Sequence, residues 1–187
     1  MLRNWTDWVG TFTGVVALTV VALPVAVLAV LVLGWRRSRS WRTAIADVGL
    51  VYGTVPTVWL TLLPGNSSGG SRVSLVPFRD LAAIIAHGPA SATLQIVGNL
   101  LVFAALGFFV PMRFAVSVPR VLALACACSV LVETAQYAMQ SGRVSSVDDV
   151  LLNTVGAGLA ALAARGLGFG YARADRGGRA LPGRGRP

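Results

Sequence analysis

The sequence predicts an all-α protein, a polytopic transmembrane helical bundle of about five spans, and three observations carry that expectation. Hydrophobic residues fill 55% of the 187 positions and charged residues only 12%, against roughly 25% charged in a soluble domain. Mean hydropathy is +0.71, and several apolar runs reach the roughly 20 residues that cross a hydrocarbon core of about 30 Å. The period-two alternation of a transmembrane β-barrel is absent. Together these features exclude a separate soluble domain and point to a multi-pass protein of the cell membrane.

The elements follow in order. Residues 1–10 form a short amphipathic lead with Trp5 and Trp8, residues suited to a membrane surface. Thr11 to Gly34 is the first span; it is too long and too poor in leading basic residues for a signal peptide, so it reads as a retained helix. Pro24 within it kinks a spanning helix without preventing it. A basic loop bracketed by Trp35 and Trp41 leads to a second span, about Thr43 to Leu63, with Asp47 near its start for a helix dipole or a loop arginine. Pro64 to Asp80 is a Gly/Ser-rich connection, flexible at its start. Asp80 to His87 is a short helix lying along the surface. The third span is about Ala92 to Val110, ending at Pro111; the fourth runs from Val118 to Met139 and the fifth from Val147 to Leu167. The domain expectation is therefore 1–42 as an N-terminal helix with a basic loop, 43–167 as a four-helix membrane domain, and 168–187 as a disordered Arg/Gly-rich tail.

Every one of the 16 basic residues is arginine, and the net charge is +9. Twelve arginines fall on one side of the predicted spans (four within 36–42, then Arg113, Arg120, Arg165 and the tail) and four on the other, Arg3, Arg72, Arg79 and Arg143. Positive charge accumulates on the cytoplasmic side, which puts the N-terminus outside and the tail in the cytoplasm. The tail is short and lacks interleaved aromatics, so it suits anionic inner-leaflet lipid and no nucleic acid. Cys126 and Cys128 lie two apart in an apolar helix and, with the single His87, make no soft-metal site. No metal or cofactor is expected.

The polar residues inside the spans are the candidate site. In this topology Asn99, Glu133 and Asn153 stand on three helices at one depth, roughly 10 Å below the outer surface at 1.5 Å per residue. Gln95 and Asn99 are spaced i,i+4; Glu133, Gln136 and Gln140 follow i,i+3,i+7; Asp149 and Asn153 are again i,i+4. Below Asn153 on its stripe come Gly156 and Ala160, small enough for close helix contact. The expected result is an outward-facing polar cleft between spans three, four and five, with Arg79, Arg143, Asp148 and Asp149 at its mouth. A carboxylate in an apolar run costs about 2.5–3.5 kcal/mol at a bilayer centre, so Glu133 is the candidate catalytic residue if there is chemistry. The competing reading makes Asn99 and Asn153 plain interhelical bonds. Ser145 and Ser146, each three residues before an aspartate, suggest capping boxes opening span five, with Asp148 as a cap.

These residues resemble a known pattern. Asn99-Leu100-Leu101-Val102-Phe103 with Leu106-Gly107-Phe108-Phe109-Val110-Pro111 is similar to the N-x-x-x-F-x-P-x-G-F-x-x-P signature of VanZ-like proteins, with Ala105 where that pattern has proline. Glu133-Thr134-x-Gln136 resembles the family's E-x-x-Q. Gly142-Arg143-x-Ser145-x-x-Asp148-Asp149-Val150-x-x-Asn153-Thr154-x-Gly156-Ala157 resembles its R-x-x-D-x-x-D-x-x-x-N-x-x-G segment, and Leu75-x-Pro77-Phe78 its extracellular L-x-P-F. The likeness runs from about Val48 to Ala164 in consistent order, leaving span one outside. It implies an association with resistance to lipoglycopeptide antibiotics such as teicoplanin, and it names no reaction.

The functional expectation is a non-enzymatic envelope protein. Asn99, Glu133, Gln136, Arg143, Asp148, Asp149, Asn153 and Arg79 would bind an amphiphile: a membrane lipid, a lipid-linked envelope component, or the lipid tail of an antibiotic. The alternative is an intramembrane enzyme on a lipid-linked substrate, with Glu133 as general base and Asp148 and Asp149 holding a divalent cation. A small transporter is third, because the chain has no internal repeat.

Overall fold

The computed structural model describes residues 10–36, 40–65 and 72–169; most of the amphipathic lead and the tail expected to be disordered lie outside them. Five helices are long and apolar enough to cross a membrane. Helix α1 (Phe12–Arg36) and helix α2 (Trp41–Leu62) are followed by strand β1 (Arg72–Ser74) and the short helix α3 (Arg79–His87). Helices α4 (Pro89–Val102) and α5 (Ala104–Phe114) together make the third span. Helix α6 (Val118–Ala138), strand β2 (Val144–Ser146) and helix α7 (Val147–Gly166) complete the chain. The fold class is the expected helical bundle, with one addition: β1 and β2 pair in parallel, Arg72 opposite Val144 and Ser74 opposite Ser146.

Helix α7 is the centre. Of its most apolar window 39% is buried, against 6% in α1 and in α2, and it packs on α4, α5 and α6. Val102, Phe103, Leu106 and Val110 meet Val121 and Ala125 of α6 and Ala157 and Ala161 of α7 in the core. The approach is close because of glycine: a Cβ on Gly107 would stand 2.1 Å from the Ala157 carbonyl oxygen, and one on Gly156 2.0 Å from that of Leu100. Gly156 therefore acts as the expected small residue, while Ala160 is only half-buried. Helix α1 lies against α2, where the Tyr52 hydroxyl donates to the Thr19 carbonyl at 2.7 Å. Its Val20, Val21 and Val25 are exposed, as suits a surface facing lipid.

The third span differs from the single run expected over 92–110. It extends from Pro89, whose fixed φ and missing N–H suit a first helical turn, to Phe114, with Pro111 inside the helix. It is also broken at Phe103 (φ −111°, ψ 17°). A break at membrane depth frees backbone groups that lipid cannot satisfy. Here the Thr57 hydroxyl of α2 reaches the Val102 carbonyl at 2.9 Å, and Phe103 at the break is 2% exposed. The break exists with Ala105, not proline, two residues on.

Asp47 pairs with Arg113 at 2.6 Å. Their side chains are 25–36% exposed, so the pair is worth no more than about 1 kcal/mol. It ties the start of α2 to the end of α5 at the bundle end where Arg42 also stacks over Phe169. The opposite end carries β1, α3, β2 and the start of α7, and this polar end holds the candidate site.

Candidate functional site at the polar end

The first turn of α7 sends its two aspartates to different partners. Ser146 is the N-cap, accepting from the Asp148 amide at 3.2 Å, as Ser/Thr caps do. Asp148 serves a different helix from the one expected: its carboxylate accepts from the backbone N–H groups of Phe78 (2.5 Å), Asp80 (3.1 Å) and Leu81 (3.0 Å). It thus caps α3, whose first N–H groups would otherwise lack acceptors. Asp149 accepts from the Asn99 side-chain amide and from Gln95, joining α7 to α4. Of the residues expected to converge, Asn99 and Asp149 do.

Glu133 comes from α6 and takes different partners. It is 9% exposed, its carboxylate accepts from the Ser146 amide at 3.1 Å, and its carbonyl accepts from the Ser145 hydroxyl at 2.9 Å. Asn153 does not reach Glu133; its amide donates to Ser129 of α6 at 2.8 Å, while its side-chain oxygen is buried without a protein partner among the described residues. Gln136 donates to the Thr61 carbonyl at 2.7 Å, so it joins α6 to α2. Gln140 is not on the stripe at all, because α6 ends at Ala138 and Gln140 takes a left-handed turn (φ 51°). Arg143 is exposed and close enough to act electrostatically on both Glu133 and Asp149. Arg79 is exposed at the start of α3.

The polar groups thus divide by hydrogen-bond partner around the start of α7, with the Glu133 and Asp149 carboxylates still close enough to act on each other electrostatically, and the cavity beside them differs from the cleft expected between spans three, four and five. It measures about 250 Å³ and is lined by Glu133, Val130, Thr134 and Tyr137 of α6, by Val147 and Val150 of α7, and by Val73, Leu75, Ser145 and Ser146 around the strands. None of its lining residues comes from span three, whose Asn99 bonds Asp149. Among the described residues, Glu133 is its only ionisable wall apart from the phenol of Tyr137. The pairing of aspartates as a cation site is also not formed: each carboxylate is engaged elsewhere, and no group of three or more potential metal ligands exists among the described residues.

A family model described as VanZ/LLP1 matches residues 25–168. The chain belongs to the VanZ-like family. The match begins inside α1, earlier than the motif residues reach, and it runs to the end of the helical region. No curated protein and no solved structure matches the chain. Within this VanZ-like bundle the motif residues divide by partner. Asn99 and Asp149 bind each other, Glu133 faces the cavity, and Asp148 is used by the chain's own backbone. Sequence reasoning missed Ser129, Ser146 as a hydrogen-bond partner of Glu133, Val73 of β1 and Leu75 just after it. Only the alternation of apolar residues at Val73 and Leu75 hinted at a strand.

Proposed function

We propose that this protein binds an amphiphile at its polar end, facing outward, with the apolar chain along the valine and leucine walls of the cavity, a hydroxyl or amide at the base of the head group donating to Glu133, and the anionic part of the head near Arg143 and Arg79. Binding there would modulate susceptibility to lipoglycopeptide antibiotics. The observation that carries this reading is a carboxylate set in the wall of an otherwise largely apolar cavity at one end of a membrane bundle. Drug-sized ligands occupy pockets of about 300–1,000 Å³. A cavity of about 250 Å³ fits an acyl or isoprenyl segment, and the bulk of a glycopeptide would stay outside. Exposed guanidinium groups suit phosphate or carboxylate heads. The arginine distribution supports the same sidedness, N-terminus out and tail in.

The test uses the full chain in nanodiscs with a phospholipid carrying a photoreactive group on its acyl chain. Cross-linking should map to α6 and β1, saturate, and be displaced by a teicoplanin-type lipoglycopeptide. Glu133→Ala should lower capture ten- to hundredfold, the loss expected for a charge-assisted hydrogen bond of about 1.5–3 kcal/mol. Unsaturable capture, indifferent to Glu133, would sink the proposal, and a reporter on the tail active outside the cell would sink its sidedness. The same carboxylate favours a second reading, an intramembrane enzyme with Glu133 as base. Glu133→Gln keeps a hydrogen-bonding group without the base, so a phenotype retained in Gln and lost in Ala speaks for binding.

A further inference from the structure

Residues 72–81 cross the polar end as a strap: β1 pairs with β2, the chain turns through Pro77, and α3 begins at Arg79. Val73 and Leu75 of this strap are walls of the Glu133 cavity. Few apolar contacts with the rest of the protein hold it down, since Val73, Leu75, Val76 and Phe78 are 52–72% exposed. Segments with few buried contacts open at low free-energy cost, so polar ties decide whether the cavity keeps this wall. We infer that Asp148 is a positioning residue, a latch that holds the strap closed over the cavity without itself touching a ligand.

Three features carry this. Asp148 is 4% exposed, and its carboxylate is engaged by three backbone N–H groups of one short segment, two on one oxygen and one on the other. An anion at a helix start is also favoured by the helix dipole. Phe78 sits at φ 64°, a region that bulky side chains rarely adopt, and the Asp148 bond to its amide stabilises that turn. A second tie runs beside the first: the Ser146 hydroxyl donates to the Asp80 carboxylate at 2.6 Å, while the Ser146 amide donates to Glu133. One serine therefore connects the strap to the carboxylate that faces the cavity.

The role of the cavity rests on the binding proposal above, whereas the latch is measurable without ligand. Hydrogen exchange of the full chain in nanodiscs should show the Phe78, Asp80 and Leu81 amides exchanging about tenfold faster or more in Asp148→Ala, with α6 unchanged. Equal exchange at those amides in wild type and variant overturns the inference. If Asp148→Ala does not accumulate, Asp148→Asn, which keeps the side chain's size but puts an NH2 group against one set of those backbone N–H groups, should accelerate the same segment, and no acceleration there counts equally against it. The deciding arm adds Arg72→Cys and Val144→Cys, partners across the strand pair, to an Asp148→Ala chain with Cys126 and Cys128 replaced by alanine. Directly paired strand residues lie within disulfide reach. The cross-link should slow exchange again and restore capture of the photoreactive phospholipid. Exchange restored with capture still lost would make Asp148 a ligand contact and overturn the positioning role; absence of capture in wild type would sink only the binding proposal.

Discussion

Gly107→Ala and Gly156→Ala are each expected to destabilise the bundle by about 3 kcal/mol, the upper end of ordinary overpacking, and to lower accumulation in the membrane. In both cases one added methyl group meets backbone, not a side chain that can turn away: the Ala157 carbonyl at 2.1 Å and the Leu100 carbonyl at 2.0 Å. Real Cβ atoms do not come so close, so α7 must move away from α5 or α4. That movement would weaken packing around Phe103 and Val102 and stretch the Asn99–Asp149 bond. Two comparisons sharpen the expectation. Gly98→Ala has nothing within 4 Å, so it should be neutral or gain up to about 1 kcal/mol from helix propensity. Gly158→Ala meets only the Leu122 side chain and should fall between. Heating the detergent-solubilised variants and following the folded fraction by size exclusion ranks all four. Equal midpoints for Gly98→Ala and Gly156→Ala would mean that α7 does not pack as closely as described.

The second large effect is at Asn99. Replacing it with leucine leaves the partly buried Asp149 carboxylate with Gln95 as its remaining side-chain donor. Removing a hydrogen-bond donor from a buried charged group costs about 1–3 kcal/mol or somewhat more, with about 2–3 kcal/mol expected here because Asp149 is only partly buried and keeps Gln95. Asn99→Leu combined with Asp149→Leu removes both polar groups, and such paired replacements are often neutral or stabilising. Thermal midpoints of the single and double variants form a cycle. Recovery of stability in the double variant without recovery of phospholipid capture would show that the pair serves binding as well as assembly. Recovery of both would reduce it to interhelical glue, and no loss in Asn99→Leu would contradict the contact itself.

Much of this arrangement was legible in the residues. The apolar runs located the five spans because a bilayer leaves a chain few other ways to satisfy its backbone. The i,i+4 spacing put Gln95 and Asn99 on one face, and both bond Asp149. Asp47 met an arginine, as its place near the basic end suggested. The same spacing could not assign partners. Gln136 shares a face with Glu133 yet bonds to α2, because helical periodicity gives a direction and not the identity of the neighbouring helix. Gln140 left the stripe because α6 stopped first. The break at Phe103 was not legible either, since no proline marks it and the Thr57 hydroxyl that satisfies it is 45 residues away.

Hydrophobicity and spacing alone thus settled the membrane class, the approximate spans, and which faces carry polar groups, all of them local properties of a chain in a low-dielectric solvent. The tertiary structure alone decided which partner each of those groups takes: Asn99 with Asp149, Asn153 with Ser129, Gln136 with the Thr61 carbonyl. It also decided that Glu133 faces a cavity and that Asp148 caps a helix nearly 70 residues upstream. The reason is that each outcome depends on the parallel pairing of two three-residue strands and on glycine contacts between distant helices. Such long-range meetings are set by packing of the whole bundle, and no short window of residues encodes them.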